Sequence, residues 1–165
     1  MSIDLNVCIA PEVAAQELRK GISKTFTELT ENPAPSFLMW TMENGERTLM
    51  DDKQIIVCDS LIVVEALGLD AQIVLTIAPS FEKDGMLDCA ISAEYSRSAV
   101  EFTLAASCAV WLSRRFKMQI RDEWQFWTDT AEIEPDDLAN RIQVKGIGDL
   151  TEACRTLVGT RIESE

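Results

Sequence analysis

From about Ala99 to Phe116 the chain reads as a helix with a single charge, Glu101, before Arg114. Ser96 or Ser98 can cap its start, since a side-chain oxygen there accepts from an otherwise orphaned backbone N–H. Glu101 suits the first turn and Arg114, Arg115 and Lys117 suit the last, where each sign opposes the helix dipole. Ala105, Ala106, Ser107 and Ala109 keep the surface between them small. A helix apolar nearly all round is buried on more than one side. This segment therefore predicts a core helix that other elements must cover.

Those elements have their own periodicities. Ile3, Leu5, Val7 and Ile9 alternate with Ser2, Asp4, Asn6 and Cys8, the pattern of a half-buried strand. Pro11 can open the helix that follows. There Ala14, Leu18, Ile22, Phe26 and Leu29 form one apolar stripe, and "ENPAP" ends it. Asn44-Gly45 in "SFLMWTMENGERTLM" predicts a tight hairpin, because both residues tolerate positive φ. In "QIIVCDSLIVVEA" Ser60 could cap a short helix, but the β-branched content favours a strand. "AQIVLTIA" and "MLDCAISAEYS" predict two further strands, the second with Leu87, Cys89, Ile91, Ala93 and Tyr95 on one face. "KMQIRDEWQFW" alternates like a strand, and short helices are expected near Pro135–Arg141 and Leu150–Val158.

This order predicts an α+β fold: a two-layer sandwich with a mostly antiparallel sheet, two main helices on one face and a short helical C-terminal extension. One domain is expected over residues 1–165, with the core in 1–128 and a helical tail in 129–165 packed on it. A ferredoxin-like core with an added hairpin fits the pattern, which leaves strand order open. The N-terminus lacks a basic stretch followed by an apolar run, so no signal peptide is expected. No apolar run approaches the roughly 18–20 residues of a membrane helix. Five scattered cysteines without a C-x-x-C pair predict reduced thiols and a cytoplasmic setting.

The chain has no histidine, which excludes Ser–His and Cys–His nucleophile systems within it and the usual zinc sites. Cys108 falls mid-helix beside Val100, Leu104, Trp111 and Leu112, a packing position rather than that of an activated thiolate. Asp51-Asp52, Asp84 with Asp88, and Asp136-Asp137 lack calcium-loop spacing. "KGIGD" reads as a turn with Asp149 as a helix cap. No catalytic residue, metal or cofactor is expected. With 28 acidic against 15 basic residues, a net charge of −13 disfavours nucleic acid and anionic membranes and favours a basic protein partner. The basic run Arg114, Arg115, Lys117 and Arg121 is expected to serve the helix end and to pair with Asp122 or Glu123.

That leaves "RDEWQFWTD". As a strand it would turn Trp124 and Phe126 to one face and Trp127 to the other, more than a core covered on one side can bury. One account covers these rings with the tail helices through Ile133, Leu138 and Ile142. The other makes Trp124, Phe126 and Trp127, with Asp122 and Glu123, a partner-binding set of aromatic anchors in an acidic rim. The helix "AVEFTLAASCAVWLSRRF" running into "KMQIRDEW", in an acidic, histidine-free α+β domain, resembles small bacterial immunity proteins of polymorphic toxin systems. The resemblance lies in the general plan and assigns no residue a role. It implies a non-enzymatic protein-binding module that inhibits a cognate toxin directly. An acidic secretion chaperone is the near alternative. A small carboxylate-based enzyme or small-ligand-binding domain is the alternative of another class, and it requires a deep cavity with converging polar groups.

Overall fold

The computed structural model describes residues 3–159. Ser2 of the N-terminal alternation, the side chain of Ile3 and residues 160–165 of the expected tail lie outside the described residues. The chain runs β1 (Ile3–Ile9), α1 (Ala15–Thr30), β2 (Phe37–Glu43), β3 (Glu46–Leu49), β4 (Leu61–Ala66), β5 (Ala71–Pro79) and β6 (Leu87–Ala93). It continues with α2 (Ala99–Phe116), β7 (Ile120–Asp122), β8 (Glu132–Ile133), α3 (Pro135–Ile142) and α4 (Leu150–Gly159). Among the described residues the strands form one eight-stranded sheet, ordered β3-β2-β4-β5-β6-β1-β7-β8. Every pairing is antiparallel, so the fold is α+β. As in a ferredoxin-like core, β6-α2-β7 is a split βαβ unit with β1 between its strands, but three strands, β6, β5 and β4, separate β1 from β2.

The period-2 positions bury one face. Leu5, Val7 and Ile9 of β1, Ile73, Leu75 and Ile77 of β5, and Leu87, Cys89, Ile91 and Ala93 of β6 are all inside. Tyr95 lies past the end of β6 and is 61% exposed, so it does not continue that face. The hairpin between β2 and β3 turns at Asn44 (φ 51°) and Gly45 (φ 82°), the positive pair that its strand twist requires.

Helix α1 buries Leu18, Ile22, Phe26 and Leu29 as the stripe demands. It starts at Ala15, not at Pro11, because neighbouring chain supplies its first acceptors. Ala15 N–H donates to Gln54 O at 2.8 Å and Gln16 N–H to Asp52 O at 3.0 Å, while Ala14 bridges to Ile55. Carbonyls from the loop before β4 thus satisfy amides that a helix start leaves free.

Helix α2 begins as expected, with Ser98 Oγ accepting from Glu101 N–H at 3.2 Å. It touches β1, β5, β6 and β7 of the sheet together with α1, α3 and α4. The short tail helices therefore cover α2, and its small residues are buried on every side. One apolar core runs continuously from Leu5 to Leu157. Where α1 crosses α2, Gly21 faces Trp111 so closely that a Cβ on Gly21 would lie 1.9 Å from the indole. This glycine is needed for space, not for backbone freedom.

Glu101 does more than oppose a dipole. It is 0% exposed, and Oε2 accepts from Ser96 N–H and Ser96 Oγ at 2.9 Å each and from Gln72 N–H at 3.3 Å. Oε1 accepts from Arg97 N–H at 3.3 Å. One carboxylate thereby pins the start of β5, the loop after β6 and the first turn of α2.

Two stability outcomes follow, both read from denaturant midpoints. Gly21→Ala should destabilise by about 1–3 kcal/mol through overpacking, although alanine is intrinsically the better helix former by about 1 kcal/mol. The cost should shrink when Trp111 is replaced by Leu. Glu101→Ala should cost about 2–3 kcal/mol, because a buried carboxylate and the part-buried donors of Gln72, Ser96 and Arg97 lose one another. Glu101→Gln should also destabilise, since its amide presents donors to donors.

Candidate partner-binding surface

The helices lie on the face that buries Leu5, Val7, Leu75 and Ile91, so among the described residues the other face of the sheet is free of helices. Register fixes which side chains it carries. Across the strands runs the row Leu49, Trp40, Val63, Val74, Ser92 and Asp4. The next row beside it is Leu38, Glu65 and Gln72. On the opposite flank Leu61 pairs with Thr76, Thr76 with Ala90, Ala90 with Asn6, and Asn6 with Arg121. Over β3, β2, β4 and β5 the face mixes Leu49, Trp40, Leu38, Val63 and Val74 with Arg47, Glu65, Gln72 and Thr76, and over β6, β1 and β7 it turns polar.

The first half is curved. Arg47 on β3 donates to Gln72 on β5 at 3.2 Å, across the two intervening strands. Arg47 stands opposite Met42, and Gln72 lies in the row of Leu38. Three strand spacings and a four-residue offset amount to roughly 19 Å in a flat sheet. That is beyond the reach of the two side chains, so the β2–β3 hairpin curls over the helix-free face. Val63 at its floor is accordingly 3% exposed, while Leu49 (54%) and Leu61 (39%) stand open at the margin. Trp40 Nε1 donates to Glu65 Oε2 at 3.0 Å, which fixes the indole in this trough. Glu43, Glu46 and Asp59 are exposed nearby in the chain, giving the margin an acidic character.

The expected aromatic set divides differently. Strand β7 ends at Asp122, and the chain then turns, with Gln125 at φ 51°. Asp122 is buried, and its two carboxylate oxygens accept from Phe126 N–H at 3.0 Å and Trp127 N–H at 2.7 Å. That turn sends both rings inward. Phe126 meets Trp127 edge to face, with ring centroids 4.9 Å apart, and lies tilted 5.3 Å from Phe102 of α2. Trp124 and Phe126 therefore do not share a face, and Asp122, Phe126 and Trp127 are corrected from contact residues to core. Among the described residues the buried Trp127 Nε1 meets no acceptor. Of the five, Trp124 (63% exposed) and Glu123 remain outside. They sit at the sheet end that also carries exposed Tyr95, since Leu5 pairs with Asp122 and Ile3 with Ala93.

The basic run pairs elsewhere than with Asp122 or Glu123. Arg114 grips both Glu28 oxygens, at 2.8 and 3.0 Å, and Asp136 at 2.7 Å, tying α1, α2 and α3 together. Arg115 pairs with Glu17, and Arg121 with Glu82 and Asp88. Asp149 caps α4, accepting from Glu152 N–H at 2.8 Å. Among the described residues no cluster of three or more Cys, Asp or Glu could hold a metal ion.

Sequence reasoning missed the trough, although a signal was present. "FLMW" and "LIVV" are continuous apolar runs rather than alternations. In an antiparallel sheet covered on one side, such runs place apolar side chains on both faces.

The cysteines are chiefly packing residues. Burial pushes the Cys89 thiol from its ordinary 9.0 up to about 12, with Asp88 adding to it. Burial, then Cys89, holds Cys108 well above the ordinary range, and burial also raises Cys154. In the native protein at about pH 8, Cys89, Cys108 and Cys154 should resist alkylation while half-buried Cys8 and Cys58 react first. Mass spectrometry with and without denaturant checks this. The sign of the pH effect follows too. Between 9.0 and about 12 the folded state keeps the Cys89 proton that the unfolded chain loses, so stability should fall as pH rises above about 9. No protein-family model matches the chain, and comparison with curated proteins and with solved structures finds no match either.

Proposed function

We propose that the chain is a non-enzymatic protein-binding module, an immunity protein that inhibits a cognate toxin by docking through the helix-free face of its sheet. The observation that carries this reading is the apolar trough of Trp40, Val63 and Val74, with Leu49 and Leu61 open beside it. Exposed apolar surface rimmed by polar groups characterises protein contact sites. A net charge of −13 favours a basic partner and speeds its approach, while the apolar anchors hold it. Trp124 and Glu123 offer a second, smaller contact at one end of the sheet.

A secretion chaperone is the second reading. The edge strand β3 is exposed at every residue, and an open edge can pair with an extended client segment.

The test is a pull-down from the native organism at low and high salt, followed by binding kinetics on the captured partner. A stoichiometric basic protein should appear, with an association rate that falls as salt rises. Leu61→Asp should weaken its binding by about 2 kcal/mol or more while leaving the fold intact. Loss of toxin activity at one-to-one stoichiometry supports the inhibitor. A folded client segment bound to two chains supports the chaperone. Unchanged affinity in both Leu49→Asp and Leu61→Asp, with loss in Trp124→Ala, would move the contact to the end of the sheet.

A further inference from the structure

Helix α1 separates its charges. Glu17 and Glu28 turn toward α2, where Arg115 and Arg114 hold them. Arg19, Lys20 and Lys24 line the other flank, in a cleft of about 580 Å³ between α1 and the chain entering β2. Ser23, Thr27 and Ser36 also line it, and the lining contains no Asp or Glu. In a chain with 28 acids and 15 bases, three cations gathered with a single acid, Asp52 on Arg19, depart from the surface average. Among the described residues neither Lys20 nor Lys24 forms a salt bridge.

We infer that this cleft binds the phosphate group of a small phosphorylated molecule. Its donors suit a dianion with several acceptor oxygens. Two ammonium groups supply charge, and the guanidinium of Arg19 keeps N–H donors beyond the one that Asp52 engages at 2.5 Å. Thr27 Oγ1 already accepts from Ala34 N–H at 3.2 Å, which leaves its hydroxyl hydrogen to donate. The size is that of an ordinary small-molecule site, which spans about 300–1,000 Å³. The negative charge of the whole molecule does not prevent this, because salt screens it over roughly 8 Å at physiological ionic strength. Cations lining the cleft act within that distance. The site is on the helix-bearing side and stands independently of the docking reading.

The test is a titration of ¹⁵N-labelled full-length protein with inorganic phosphate at constant ionic strength, made up with sodium chloride. Saturable amide shifts confined to residues 19–37 are expected. Replacing both lysines (Lys20→Gln with Lys24→Gln) should weaken binding about tenfold, with an unchanged thermal midpoint because both side chains are exposed. Three results would each overturn the inference: shifts no larger than chloride alone produces, equal affinity for acetate, or undiminished binding in the double variant.

Discussion

Everything in this fold answers to the enclosure of α2. A helix with almost no charge along its length must be removed from water on all sides, and one sheet face cannot do that alone. Helix α1 closes one flank, and α3 and α4 close the rest. Such close packing leaves little tolerance, which is why Gly21 meets Trp111 with no room for a single methyl group. It also explains the run Ala105, Ala106, Ser107, Cys108 and Ala109, all buried, where larger side chains would push the layers apart.

Charge is handled in two ways around that helix. At its ends and flanks, arginines reach carboxylates from other elements, so that Arg114 joins Glu28 and Asp136 at the meeting of three helices. Inside, Glu101 and Asp122 are buried among hydrogen-bond donors, backbone amides in particular. A buried carboxylate is tolerable when charged hydrogen bonds replace its lost hydration. Each then acts as a clasp on irregular chain, one at the entry to α2 and one after β7. The turn held by Asp122 sends Phe126 and Trp127 into the core.

Concentrating the helices on one side leaves the other side of the eight-stranded sheet, among the described residues, without helical cover. Curling of the β2–β3 hairpin shelters part of the exposed apolar surface, as Val63 shows, but Leu49 and Leu61 remain open. The proposed function uses that remainder. The opposite flank of α1 has a different character, with cations gathered in a cleft on an otherwise acidic molecule.

Sequence alone determined the elements that depend on near neighbours: β1 and β6 from alternation, β4 from its β-branched content, α1 from its stripe, the Asn44-Gly45 turn, a serine cap on α2 at Ser96 or Ser98, and the Asp149 cap, though not β8 within the expected helical tail. It also placed Cys108 in the core and required α2 to be covered from several directions. Tertiary structure decided the strand order, the start of α1 at loop carbonyls and the partners of Arg114, Arg115 and Arg121. It decided the site as well, turning Phe126 and Trp127 inward and leaving Trp124, Leu49 and Leu61 outside. The physical reason is range. Backbone periodicity and capping are settled within about one turn or one strand pair, whereas burial depends on which distant segment arrives to displace water. Asp122 on either side of that division is the same residue: read locally it is a surface acid, and only the fold makes it the buried acceptor for two amides.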